Sequence, residues 1–196
     1  RAVSSGALVV IVPKGTYRLT SQIVVPSGVS LRGVGKPLML LDDNGFNATS
    51  TAQTYATNAC AFMFRNNVGG GVHGLKFKPS SYGAELIVMA IALRACKGTH
   101  VKDCEFEGFS KTKIVRVDSS SLCSLQRNYF HNCHLSSTNV SQLTCIDVDD
   151  NRIREGSKNL RITENIFKYI TVSTAFLAKY GNQTDAINIS NETSSG

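Results

Sequence analysis

Apolar and polar positions in this chain alternate in short bursts rather than in helical turns. "FMFR" at Phe62–Arg65, "IALR" at Ile91–Arg94, "VRVD" at Val115–Asp118 and "IDVD" at Ile146–Asp149 each run apolar, variable, apolar, charged. A period of two residues is the pattern of a strand with one buried face. Ten residues after the start of each of the first three comes a second phrase, opening at Val72, Val101 and Leu125. Its fourth copy opens at Ile162, after about six extra residues, an insertion of the kind loops accept. Each copy carries a phenylalanine five positions on: Phe77, Phe106, Phe130 and Phe167. A looser copy of the strand phrase, "FLAK", stands at Phe176–Lys179.

Repeats of 24 to 37 residues, made of strands and lacking helical periodicity, predict a solenoid. Without amphipathic crossover helices a doubly wound α/β sheet is disfavoured. The expectation is all-β: a single-stranded right-handed parallel β-helix of about six to seven coils, each with a strand, a turn and a second short strand. Residues 1–196 then form one domain, complete or a segment of a longer chain. Coils about 4.8 Å apart stack equivalent residues into columns, so the four phenylalanines form one internal stack. Asn128 and Asn165, with Cys104 in the equivalent place, sit at a bend where stacked side chains satisfy turn backbone groups.

Composition narrows the function. An apolar fraction of 42% is that of a globular protein, and the longest apolar run, "ALVVIV", is too short to span a bilayer and lacks the flanks of a signal peptide. The formal charge is +7, with basic residues spread rather than clustered, which argues against nucleic acid and suits a polyanion such as an acidic polysaccharide. Six cysteines without CxxC or Cys/His ligand spacing argue against a zinc site. By coil, Cys96 with Cys123 and Cys104 with Cys133 are the pairs within disulfide reach, and six buried thiols are the alternative. Sequons at Asn47, Asn139, Asn182, Asn188 and Asn191 tilt the reading toward a secreted glycoprotein or a protein displayed on a cell or virion surface.

The opening segment, "GALVVIVPKGTYRLTSQIVVPSGVSLRGVG" at Gly6–Gly35, resembles the first coils of the pectate lyase-like superfamily of right-handed β-helix proteins. The likeness rests on Pro-X-Gly-X-Tyr at Pro13–Tyr17 and "GVSLRGVG" at Gly28–Gly35. It implies the fold. It leaves the activity open, because the superfamily holds lyases, hydrolases, epimerases, tailspikes and non-catalytic members. "NQTDAINIS" at Asn182–Ser190 is also similar to the Asn-Thr-Asp phrase of polygalacturonase-type hydrolases through Thr184 and Asp185, which would make Asp185 a catalytic acid. Gln183 and Asn188 depart from that pattern, and the plainer reading is another coil strand.

Aligning the strand phrases predicts two outward columns, Arg65–Arg94–Asp118–Asp149–Lys179 and Met63–Ala92–Arg116–Asp147–Leu177. At their centre Arg116, Asp118, Asp147 and Asp149 form a flat charged strip. Carboxylates about 5 Å apart suit retaining glycoside hydrolysis. A lyase would instead use a base with Arg116, Arg94 or Lys113 against the uronate, and Asp147, Asp149 and Asp150 to hold calcium. Arg65, Arg94, Lys113 and Lys179 are the expected substrate contacts. The plainer alternative pairs Arg94 with Asp118 and Arg116 with Asp147 as surface ion pairs. His131 and His134 read as surface turn residues. The functional expectation is thus a polysaccharide lyase or hydrolase, or else a non-catalytic adhesive or structural β-helix. Open coil ends call for a neighbouring domain or copy, a homotrimer being one such arrangement.

Overall fold

The computed structural model describes residues 8–42, 46, 60–80, 88–110, 113–135, 143–149, 157–172 and 184–190. They wind as six coils of three strands each. The first coil holds β1 (Val9–Val12), β2 (Thr16–Leu19) and β3 (Ile23–Val25), and the second β4 (Ser30–Gly33), β5 (Leu38–Leu41) and β6 (Cys60–Arg65). The third holds β7 (Gly71–His73), β8 (Lys76–Pro79) and β9 (Met89–Arg94), and the fourth β10 (His100–Lys102), β11 (Glu105–Glu107) and β12 (Lys113–Asp118). The last two hold β13 (Ser124–Gln126), β14 (Tyr129–Leu135) and β15 (Leu143–Asp149), then β16 (Arg161–Thr163), β17 (Ile166–Val172) and β18 (Thr184–Ser190). Every third strand pairs in parallel, giving sheet A (β1-β4-β7-β10-β13-β16), sheet B (β2-β5-β8-β11-β14-β17) and sheet C (β3-β6-β9-β12-β15-β18). The chain is therefore a parallel β-helix.

Each repeat carries three strands where the sequence pattern suggested two. The phenylalanine phrase is split by a bend: in "VKDCEFE", Val101–Lys102 closes β10, Asp103–Cys104 turns, and Glu105–Glu107 forms β11. Gly74, Asp103, Arg127 and Glu164 occupy that corner in successive coils, all in the left-handed region (φ 68°, 54°, 52° and 60°). One such residue per coil redirects the strand without a loop.

The bend is held from inside as expected. Asn128 Oδ1 accepts from the Cys104 amide at 3.0 Å, and Asn165 Oδ1 from the Asn128 amide at 3.0 Å. Their side-chain amides donate to the carbonyls of Val101 (3.0 Å) and Leu125 (2.9 Å). A second ladder at the C-to-A corner is less visible in sequence. There the Cys96 amide donates to Ser120 Oγ (3.0 Å), and the Ser120 amide to Ser157 Oγ (3.2 Å).

The core runs along the axis. Phe77, Phe106, Phe130 and Phe167 stack with centroids 5.2, 4.6 and 5.2 Å apart and interplanar angles of 10°, 13° and 15°. Parallel in-register coils impose this offset stacking, one ring per rung. The inward positions of sheet A are aliphatic: Leu31, Val72, Val101 and Leu125, all buried. Coils approach closely at Gly71 (φ 146°), where a Cβ would lie 2.1 Å from the His100 carbonyl oxygen.

Register corrects the end of the predicted columns. Ile146, Asp147, Val148 and Asp149 pair with Ile187, Asn188, Ile189 and Ser190 of β18. The strand after "IDVD" is thus "INIS", and "FLAK", with Leu177 and Lys179, lies outside the described residues. Both patterns put apolar residues at their first and third positions, and lateral pairing with β15 decided between them.

Candidate functional site

Sheet C carries the predicted strip, but the strip is neither flat nor open. Ala61 and Phe62, Ala90 and Ile91, Ile114 and Val115, and Cys145 and Ile146 are consecutive pairs packed in the same core. Pairing skips one residue at each, as between Lys113↔Thr144 and Val115↔Ile146. The outward residues flanking this kink converge. Cys60, Met63 and Ala92 close into a small buried cluster, and Lys113 Nζ reaches Asp147 Oδ2 at 2.8 Å. Asp147 is 0% exposed, so its carboxylate meets Lys113 away from solvent.

The next column outward follows the expected order, Arg65↔Arg94, Arg94↔Asp118, Asp118↔Asp149. Arg94 Nε lies 3.5 Å from Asp118 Oδ2, the cross-strand pair of the plainer reading. Arg116 is half-buried beside Asp147 on the neighbouring rung, and Arg65 is exposed at the strand end. Asp185 lies on β18 in register with Thr144, and Asn188 in register with Asp147. Asn47, Asn139, Asp150, Asn182 and Asn191 fall outside the described residues. The Asp147 carboxylate holds the Lys113 ammonium, while the Asp149 side chain and Asp150, the other expected calcium donors, lie outside what the structure describes.

The denser cluster is on sheet B, where sequence reasoning placed nothing. Lys76 Nζ lies 2.7 Å from Glu105 Oε1 and 2.6 Å from Glu107 Oε2. Lys36 adds a contact to Glu105 at 3.2 Å and Lys78 one to Glu107 at 3.1 Å. His131 Nε2 meets Glu105 Oε1 at 3.0 Å, its ring stacked on Tyr129 at 4.4 Å. His131 is on strand β14 and nearly buried, which corrects the turn assignment. Its acidic partner is 26 residues away in sequence, close only because β11 and β14 are adjacent coils. His134 is on the same strand, with Nδ1 2.8 Å from Thr171 Oγ1.

Electrostatics define what this cluster can do. Burial alone would raise the Glu105 carboxyl, yet hydrogen bonds from Lys76, His131 and Lys36 overcome it and hold the group at about 2. The hydrogen bond from Lys76, opposed by burial and aided by Lys78, lowers Glu107 as well. A glycosidase acid needs a carboxyl raised toward neutrality, and these two are shifted the other way. Ligand atoms of Glu105, Glu107 and His131 lie within 4.8 Å of one another, a spacing a metal ion can use. The Lys76 ammonium, bridging both carboxylates, already stands in that place.

Beside the cluster lies an open depression of about 430 Å³ lined by Glu107, Asn132, His134, Tyr169 and Thr171. Gly108, Asn132 and Tyr169 fall on one column in the left-handed region (φ 74°, 53° and 55°). That bend leaves the Tyr169 ring 63% exposed, with Lys168 Nζ 4.8 Å from its centroid. An exposed ring, an amide, an imidazole and a carboxylate around a shallow trough are the groups that hold a sugar by stacking and hydrogen bonding.

All six cysteines are buried free thiols. Register explains why the anticipated pairs do not bridge. Cys96 stands level with Ser120 rather than Cys123, since Lys97 bridges Ser121. Cys104 is level with Asn128, and Cys133 with Phe109, one coil over but at another corner. Burial pushes Cys60 and Cys104 up to about 12, and Cys123 and Cys133 to about 11.

Comparison with known proteins adds the fold alone. No family model matches the chain, and no curated protein matches it in sequence. Among solved structures it is similar to PfbA, a surface adhesin of Streptococcus pneumoniae, at a TM-score of 0.67 and 14% identity. That likeness covers 99% of this chain and 48% of the adhesin, so the chain spans about half of that protein's length. A candidate glycosyl hydrolase from Parabacteroides merdae aligns at a TM-score of 0.43 and 12% identity, over 86% of this chain and 85% of that one. Among the described residues no helix is long and apolar enough to cross a membrane.

Proposed function

We propose that this chain is a pectate lyase-like β-helix of an extracellular or surface-displayed protein that binds polysaccharide without cleaving it. The observation that carries the reading is the state of four carboxylates among the described residues. Glu105 and Glu107 are locked as anions by Lys76, Asp147 is buried on Lys113, and Asp118 lies beside Arg94. General-acid cleavage needs a carboxyl that carries a proton near neutral pH, and the Glu105 and Glu107 carboxyls are shifted the other way, while Asp147 and Asp118 lie against cations. The trough beside Tyr169 supplies contact without such a group. The surface location of the S. pneumoniae adhesin, which shares the fold, supports an adhesive role. Packing against a second copy, as in a homotrimer, or against a flanking domain belongs to the same proposal.

A panel of neutral and acidic polysaccharides tests it, read for binding, for absorbance near ~235 nm from eliminative cleavage and for reducing ends from hydrolysis. Binding to at least one polysaccharide is expected, with both cleavage assays silent and Tyr169→Ala weakening the interaction about tenfold or more. Cleavage that is lost on removal of Glu105 or Glu107 would replace this reading with an enzymatic one.

A further inference from the structure

Basic side chains are distributed unevenly around the solenoid. On sheets B and C they are largely consumed at home: Arg18 by Asp42, Lys36 and Lys76 by Glu105, Lys78 by Glu107, Arg94 by Asp118, Lys113 by Asp147. Sheet A is different. Arg32, His73 and Lys102 occupy one outward column on three consecutive coils. His100 lies beside Lys102 on the same strand, and Arg161 closes the neighbouring column two coils on. Of the acids at this edge, Asp103 is already shared between Arg127 (2.7 and 3.0 Å) and His73 (2.7 Å), and Glu164 lies 3.9 Å from Arg127. Arg32, Lys102 and Arg161 have no ion-pair partner among the described residues. The local field is positive: His100 is pushed down by burial first, and then by the charges of Lys102 and His73.

We propose that the outward face of sheet A is a binding track for a linear acidic glycan, laid along the solenoid axis over Arg32, His73, Lys102 and Arg161. It rests on the glycan-binding reading and sharpens it, naming a second face and an anionic ligand. The unpaired cations Arg32, Lys102 and Arg161 stand on every second coil, about 10 Å apart along the axis, so an extended chain with anionic groups at about that interval meets them in turn. Extended guanidinium and ammonium groups suit those oxyanions. A nucleic acid single strand would need exposed rings on which to stack its bases; neither outward column of sheet A carries a tyrosine or phenylalanine, and of its two imidazoles His73 is held by Asp103 and His100 is half-buried.

The test measures binding by calorimetry at low and raised salt. The probes are a heparin oligosaccharide, a polygalacturonate oligosaccharide, a neutral dextran oligosaccharide and a single-stranded oligonucleotide of equal length. The wild type should bind at least one acidic oligosaccharide, weaken steeply with salt, and bind both neutral sugar and oligonucleotide less well. The combined variant Arg32→Gln, Lys102→Gln, Arg161→Gln should lose about tenfold or more and show a shallower salt slope, since each lost cation removes about one released counterion. Removing the same formal charge from sheet B, with Arg18→Gln, Lys36→Gln and Lys78→Gln, should leave the affinity within about twofold. Melting curves establish that both variants are folded.

Equal losses in the two variants, no loss in the first, tighter binding of the oligonucleotide, or no binding of either acidic oligosaccharide would each overturn the track. The wider glycan-binding reading is judged separately. If a neutral polysaccharide still binds and Tyr169→Ala abolishes that binding, the reading stands while the track falls. If no polysaccharide binds at all, both fall.

Discussion

Sheets A and B share every coil, yet their outer faces handle charge in opposite ways. On sheet B, acids and bases alternate down neighbouring rungs, Lys76 over Glu105 and Lys78 beside Glu107, and the ions satisfy one another. On sheet A, Arg32, His73 and Lys102 follow one another in a single column. Inside, both sheets are equally apolar, aromatic on one and aliphatic on the other. A solenoid constrains its interior rung by rung and leaves each outer face free to differ. A self-neutralised face adds local order; a face of uncompensated charge is held by the fold at a cost in repulsion and is available to a partner.

The largest effect tests what the faces have in common. Phe106→Ala removes the middle of the ring stack, where its side chain is fully buried. It should cost about 4 kcal/mol in denaturant unfolding and destabilise both sheets together. A selective loss at sheet B would mean that the interior is less cooperative than one continuous core implies.

Asp147→Ala, on sheet C, should come next. Removing the carboxylate leaves the Lys113 ammonium without that partner in a site only 15% exposed, at a cost of about 3 kcal/mol. A stable variant that had lost an enzymatic activity would restore Asp147 as a catalytic group.

On sheet B, Lys76→Met separates Glu105 and Glu107 from their common cation and should destabilise by about 1–2 kcal/mol. It should also change the acid response. The Glu105 carboxyl sits at about 2 in the fold against 4.5 ordinarily, so the unfolded chain binds its proton first as pH falls. The stabilisation is complete above about pH 4.5 and is lost on acidification toward about pH 2. Urea midpoints across that window should fall less steeply in Lys76→Met than in the wild type.

The smallest effect belongs to sheet A. Arg32→Gln removes a cation that has no ion-pair partner among the described residues, so the midpoint should stay within about 0.5 kcal/mol of wild type, or rise slightly as repulsion falls. A loss as large as that at Lys76 would show that the two faces are bound in the same way after all.

The solenoid, the ring stack and the Asn128–Asn165 ladder are all legible in the sequence, because each is a repeated residue at a repeated spacing. The strand order on sheet C was legible as far as Asp149 for the same reason. What escaped was lateral. "FLAK" and "INIS" share apolar first and third positions, and only pairing with β15 selects Ile187–Ser190. The kink that buries Asp147 consists of two adjacent inward residues in each coil, which a strict alternation hides. The proximity of Cys96 to Cys123 in coil position concealed a difference in register.

His131 teaches the same lesson at the candidate site. In sequence it sits in "YFHNCH", far from any acid, and reads as a surface residue. In the fold it contacts Glu105 through one coil-to-coil step. By itself, the sequence determined the architecture, since period-two bursts repeated at coil length can bury their apolar faces only by stacking in parallel. The tertiary structure alone decided which charges meet. Ion pairs here form between rungs, and insertions of uneven length between strands break any fixed relation between distance along the chain and distance along the axis.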